Sequence, residues 1–155
     1  PLRPPPPHPT PFRYYNPQVE AWTSALMREE NEAKQRAKVI LIVINDETRG
    51  IASLVEAAEL ITAGRTVALM IKDFEPESTM PKAGAPLSAG VSILIDSVQR
   101  ADLNRGRAYL ADVAERRGVK IFVKYEAVIQ HTVELCSRAR GFREEFDEYG
   151  SVATG

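Results

Sequence analysis

The densest apolar run in the chain is Val39 to Ile44, six consecutive aliphatic residues that stop at a polar turn, Asn45-Asp46-Glu47-Thr48-Arg49-Gly50. A short run without alternation reads as a strand buried on both faces, which suits a parallel sheet. After the turn, Ile51, Leu54, Val55 and Ala58 have helical spacing, predicting a helix over 50–63 buried on that side, with Gly64 at its C′ position. Thr66 to Ile71 repeats the strand pattern. Upstream, Val19, Trp22, Leu26, Ala33 and Ala37 share one helical face and predict a helix from Pro17 to Arg36, with Asn16 as cap and Pro17 at N1. Glu30 and Lys34 form an i,i+4 pair on its other side.

Residues 73–90 contain three prolines and two glycines and read as a long loop, a lid or an insertion. Leu87, Val91, Leu94, Ile95 and Val98 then have helical spacing. The polar stretch Gln99-Arg100-Ala101-Asp102 reads as a break that caps a second helix, with Leu103, Leu110, Val113 and Ala114 inward and Gly118 at its end. Lys120 to Val123 is a third strand, and Glu126 to Ala139 a last helix ending at Gly141. Strands that alternate with helices imply an α/β layer fold with parallel strands. Three strands are a thin sheet, so a further strand is expected upstream of Pro1. The organisation expected is a proline-rich extended tail over 1–13, an α/β domain over 14–141 and a flexible tail over 142–155.

Composition narrows the function. The 155 residues suit one domain, and 44% apolar with 26% charged residues is ordinary for a soluble globular protein. A net charge of −1 with interleaved signs gives no basic footprint for nucleic acid or an anionic membrane. No apolar run approaches the roughly 18 residues of a membrane-spanning helix. The lone Cys136 excludes an intrachain disulfide and a cysteine-based zinc site, and suits a reduced, cytoplasmic compartment. His8 and His131 are far apart, and no phosphate-binding glycine loop is present, so no metal and no cofactor are expected. Residues 1–11 hold seven of the eleven prolines and read as an extended linker or tail, with a ligand for an SH3-like or WW-like module as the sharper reading.

Two carboxylates carry the candidate chemistry. Asp46 sits at the carboxyl end of a central strand, where ligands of open α/β sheets bind, and Glu56 sits on the helix that follows. By spacing alone the plainer reading is a solvated stripe Ser53/Glu56/Glu59 and a turn-forming Asp46. As a pair facing one crevice floored by Thr48, Arg49 and Gly50, they suit attack on an anomeric carbon, one acid as nucleophile and one as partner.

Tyr15-Asn16-Pro17-Gln18-Val19 with Trp22, then Glu30 and Lys34, Thr48-Arg49-Gly50, Ser53-Leu54-Val55-Glu56-Ala57 and Asp102 to Leu110 resemble the nucleoside 2-deoxyribosyltransferase-like family. The resemblance spans roughly residues 14 to 135. It implies a flavodoxin-like or Rossmann-like three-layer sandwich with a parallel sheet, assembled as a homo-oligomer, whose members open with a strand where this chain has its proline-rich stretch. It implies transfer of a 2-deoxyribosyl group between nucleobases, or hydrolysis of the deoxynucleoside, without cofactor or metal. Glu56 would be the nucleophile that forms a glycosyl-enzyme intermediate, and Asp46 would orient or protonate the nucleobase. Gly50 and Ser53 would lie beside the sugar, Tyr15 and Asn16 would border the pocket, and Asn104 would reach a sugar hydroxyl. Partners would be a deoxynucleoside or deoxynucleotide and a free nucleobase. The alternative is a non-catalytic nucleotide- or protein-binding domain with the same fold.

Overall fold

The computed structural model describes residues 14–16, 23–81 and 92–149, in two compact units. One comprises residues 1–38 and 139–155, the other residues 39–138. The described elements are α1 (Ser24–Arg36), β1 (Ile40–Ile44), α2 (Ile51–Thr62), β2 (Val67–Ile71), β3 (Thr79–Pro81), β4 (Ser92–Leu94), α3 (Ser97–Arg116), β5 (Ile121–Phe122) and α4 (Tyr125–Tyr149). The helix that crosses from one unit into the other is α4.

Within residues 39–138 the sheet is parallel, in the order β1-β2-β5, with Ile42 beside Leu69 and Met70 beside Phe122. All five residues of β2 are buried, as a central strand covered on both faces must be. Side-chain alternation divides them. Val67, Leu69 and Ile71 join Ile42 and Ile44 against Ala57 and Ile61 of α2 and Leu110 and Ala114 of α3. Ala68 and Met70 face the other way, against Val128 of α4, with Val43, Phe122 and Leu135 around them. Helices on both faces of a parallel sheet make the three-layer α/β arrangement expected from the sequence.

The turn chemistry behaves as the residues require. Gly50 adopts φ 64° as the N-cap of α2. At the other end Gly64, at φ 73°, donates to Ile61 O while Arg65 donates to Leu60 O, the paired bonds of a Schellman stop.

Several expectations shift. The buried face of α2 is Leu54, Ala57, Ala58 and Ile61, whereas Ile51 and Val55 are exposed. The small, fully buried Ala57 lets the helix approach the sheet, and Leu54 turns toward α3, whose Gly106 leaves it room. That rotation dissolves the expected solvated stripe. Ser53 and Glu56 lie half-buried on one flank with Leu60, and only Glu59 stays exposed.

Residues 73–90 are not wholly loop, because Thr79–Pro81 pairs antiparallel with Ser92–Leu94 over a small core of Phe74, Met80 and Ile95. Leu94 is therefore in a strand, not a helix; Leu87 and Val91 lie outside the described residues. The helix begins at Ser97 behind Asp96, whose carboxylate accepts from Gln99 N at 2.9 Å, and runs unbroken through the supposed break at 99–102. The first helix opens at Ser24 behind Thr23, later than Pro17, so Asn16 does not cap it; Pro17, Val19 and Trp22 lie outside the described residues. Its Glu30–Lys34 pair closes at 2.7 Å. The last helix passes Gly141 and continues to Tyr149, into the stretch expected as a tail. Residues 1–13, the proline-rich segment, and 150–155 lie outside the described residues.

Candidate functional site at the carboxyl edge of the sheet

The strand β1 ends where its aliphatic run ends, and the next residues fold into a turn held from below by Arg107. This guanidinium is fully buried. Its Nη2 donates to the carbonyls of Asn45 (3.0 Å) and Thr48 (3.2 Å), its Nε to that of Lys72 (3.0 Å) and its Nη1 to that of Leu103 (3.1 Å). The same group stacks 4.3 Å over the Phe74 ring. One side chain of α3 thus ties together the ends of β1 and β2 and the turn that carries Asp46. Burial pulls its pKa below the ordinary arginine value, and the charges of Asp73 and Asp46 oppose that pull.

Above this clamp Asp46 meets Lys72 at 2.8 Å. The two residues follow adjacent parallel strands, so the ladder itself sets them side by side. The hydrogen bond to Asp46 and its charge hold the Lys72 ammonium above its ordinary value. Next to the pair, Asn45 Oδ1 accepts from Glu47 N at 3.2 Å, and Asn45 Nδ2 donates to Glu47 Oε2 (3.0 Å) and to the Tyr125 hydroxyl (3.1 Å). The start of α4 is thereby attached to the turn.

The expected site residues divide by element. Asp46, Thr48, Arg49 and Gly50 line one turn, and Ser53 and Glu56 follow on the shielded flank of α2. No side chain caps that helix, so its first N–H groups open toward the turn. Arg49 is exposed, and its Nε donates to Met80 Sδ at 3.4 Å. A Cβ on Gly50 would stand 3.3 Å from Ile44 Cγ2, so the backbone at the floor of the turn runs close against the core. Asn104 is half-buried and bonds the backbone of Phe74 twice, accepting from its N–H (2.9 Å) and donating to its carbonyl (3.0 Å). Tyr15 and Asn16 belong to the other compact unit, where Tyr15 is exposed.

Sequence reasoning missed Lys72, Arg107 and Tyr125. Lys72 had a usable signal, as the first residue after a strand parallel to β1. Arg107 lay within the Asp102–Leu110 segment, but nothing in its spacing announced a buried cation. A cleft of about 770 Å³ opens beside the site, at the ends of β2 and β5, lined by Lys72, Asp73, Arg107, Ile121 and Lys124 among others. Neither Asp46 nor Glu56 lines it.

A parallel strand, a clamped acidic turn and a helix flanked by a half-buried glutamate lie within one continuous stretch, and that stretch decides the comparison. Residues 7–74 match the family described as nucleoside 2-deoxyribosyltransferase like. This is the family whose motifs the sequence resembles. The matched segment, somewhat under half of the chain, contains Asp46, Thr48, Arg49, Gly50, Ser53 and Glu56. No curated protein and no solved structure gave a significant match. No helix among the described residues is long and apolar enough to cross a membrane.

Proposed function

We propose that this chain is a glycosyl-transfer enzyme acting on 2′-deoxynucleosides, with Glu56 as its nucleophile. The observation that carries the reading is the family match over the stretch holding both carboxylates, set at the carboxyl end of a parallel strand. In the proposed reaction the Glu56 carboxylate attacks C1′ of the sugar. The C1′–N bond breaks, and the base leaves with the electron pair and takes up a proton. A nitrogen of a second base, or water, then attacks C1′ and releases Glu56. Asp46, held by its ion pair with Lys72, would orient or protonate the base. Gly50 and Ser53 would lie beside the sugar, with Thr48 on the crevice floor. Asn104 would keep one lone pair and one N–H for a sugar hydroxyl beyond its two bonds to Phe74. If the substrate carries a 5′-phosphate, Arg49 beside the uncapped start of α2 is the residue to hold it. Nucleoside salvage in the cytoplasm, by a homo-oligomer, goes with this reading.

The decisive experiment incubates the protein with a deoxynucleoside and a different free base and looks for the exchanged nucleoside. Glu56→Ala and Glu56→Gln should abolish exchange while thermal stability stays within a few degrees of the parent. Full exchange by Glu56→Ala would remove the nucleophile assignment. Ligand binding without turnover across deoxynucleosides and their monophosphates would favour the binding-domain alternative.

A further inference from the structure

We propose that Tyr125 is the acid of the glycosyl transfer, giving its hydroxyl proton to the departing base. This role rests on Glu56 as nucleophile. Asn45 and Asp46 follow β1, Lys72 follows β2, and Tyr125 opens α4 shortly after β5. The register sets Ile44 beside Ile71 and Met70 beside Phe122, so these residues stand in a row along the carboxyl edge of the sheet. Tyr125 closes the row, because its hydroxyl meets Asn45 Nδ2 at 3.1 Å. A phenol attached beyond β5 that touches a residue beyond β1 passes across the end of β2, where Lys72 binds Asp46 at 2.8 Å. This is the edge at which open α/β sheets receive their ligands.

The direction of the bond to Asn45 is fixed by its neighbours. Asn45 Oδ1 accepts from Glu47 N at 3.2 Å, which sets the amide so that its nitrogen faces Tyr125. Nδ2 therefore donates, to Glu47 Oε2 at 3.0 Å and to the phenol oxygen. An oxygen that accepts from Asn45 turns its own O–H elsewhere, and no described residue takes that proton. A tyrosine hydroxyl carries its proton at neutral pH. The residue is 43% exposed, within reach of a ligand seated on Asp46. A counter-charge for the phenolate is also in place. The bond to Asp46 and its charge do most to hold the Lys72 ammonium above its ordinary value, and the charge of a Tyr125 phenolate adds to them. Beyond the bond to Asp46 the ammonium keeps further N–H groups to offer.

In the first half of the reaction Glu56 attacks C1′, the C1′–N bond breaks with its electron pair going to the base, and the Tyr125 proton passes to a nitrogen of the base. The base departs neutral, and Tyr125 is left as a phenolate beside Lys72. In the second half the phenolate takes the N–H proton of the incoming base, or a proton of water, as that nitrogen or oxygen bonds C1′ and Glu56 leaves. Proton and charge are then restored, with one group acting as acid in the first half and as base in the second. Asp46 orients the base in this scheme.

The test compares Tyr125→Phe with the parent on two substrates, the best of the four natural deoxynucleosides and 7-methyl-2′-deoxyguanosine. Base release is followed with a second free base present. In the methylated substrate a methyl group and a positive charge stand in place of the proton, so its base leaves without an acid. Tyr125→Phe should lower kcat/KM on the natural substrate by about 100-fold or more, the usual worth of a positioned acid, and change it on the methylated one by no more than about threefold. Circular dichroism checks the fold, and Asn45 keeps its bonds to Glu47 in the variant. An equal loss on both substrates would make Tyr125 a structural prop, and no loss on either would remove it from the chemistry; both outcomes overturn the proposal. Glu56→Ala tests the underlying reading separately, since it should lose both substrates, and keeping them sinks the nucleophile whatever Tyr125→Phe does. A parent that turns over none of the five deoxynucleosides overturns nucleophile and acid together.

Discussion

Arg107 shows how a single side chain can organise a site without touching its chemistry. It satisfies carbonyls from two strand ends and a turn from a fully buried position. Arg107→Met should therefore cost about 3–5 kcal/mol, the usual range for removing one partner from a buried charged network. For a domain of this size the thermal midpoint should fall by roughly 10 °C. Arg107→Lys should recover only part of that loss, because an ammonium cannot reproduce the planar fork. A calorimetric scan of the two variants checks the order, and equal melting of parent and Arg107→Met would show the clamp to be ornamental. This residue was invisible in the sequence because its partners are backbone atoms distant along the chain. Asp46 and Glu56 were legible because their strand, turn and helix are consecutive. The Lys72 partner of Asp46 needed only the knowledge that β1 and β2 are neighbours.

Among the elements, strands and helix stops were read well where local chemistry dominates. The aliphatic runs became β1 and β2, and Gly64 stopped α2 in the conformation expected of it. The errors arose where tertiary packing overrode periodicity. Leu94 has a place in a helical pattern, yet pairing with Thr79 draws it into β4. The stretch at 99–102 is polar although the helix does not break there: Gln99 and Arg100 are half-buried, Arg100 donates to the Pro76 carbonyl, and the exposed Asp102 pairs with Arg105 one turn later. Two glycines separate backbone cost from packing cost at the ends of α2. Gly50 and Gly64 both have positive φ, but a Cβ at Gly50 meets Ile44 at 3.3 Å while one at Gly64 meets nothing within 4 Å. Gly64→Ala should cost about 1–2 kcal/mol, the left-handed penalty alone. Gly50→Ala should cost more, and should also disturb the turn that presents Asp46. Urea titrations compare them, and a Gly64→Ala variant less stable than Gly50→Ala would contradict the geometry.

At the scale of the whole molecule, the sheet is protected very unevenly. The strand β2 is bonded on both sides and buried along its length, so its amides should open only with global unfolding. In β1 the two sets of amides have different fates. Those of Ile42 and Ile44 point into the ladder with β2, whereas those of Leu41 and Val43 point to the open edge. In a single copy the edge amides should exchange with deuterium orders of magnitude faster than their neighbours, since water reaches them without any opening of the sheet. Residue-resolved exchange on the full chain reads this directly. Exchange at Leu41 and Val43 as slow as that of Ile42 and Ile44 would mean that the β1 edge is covered.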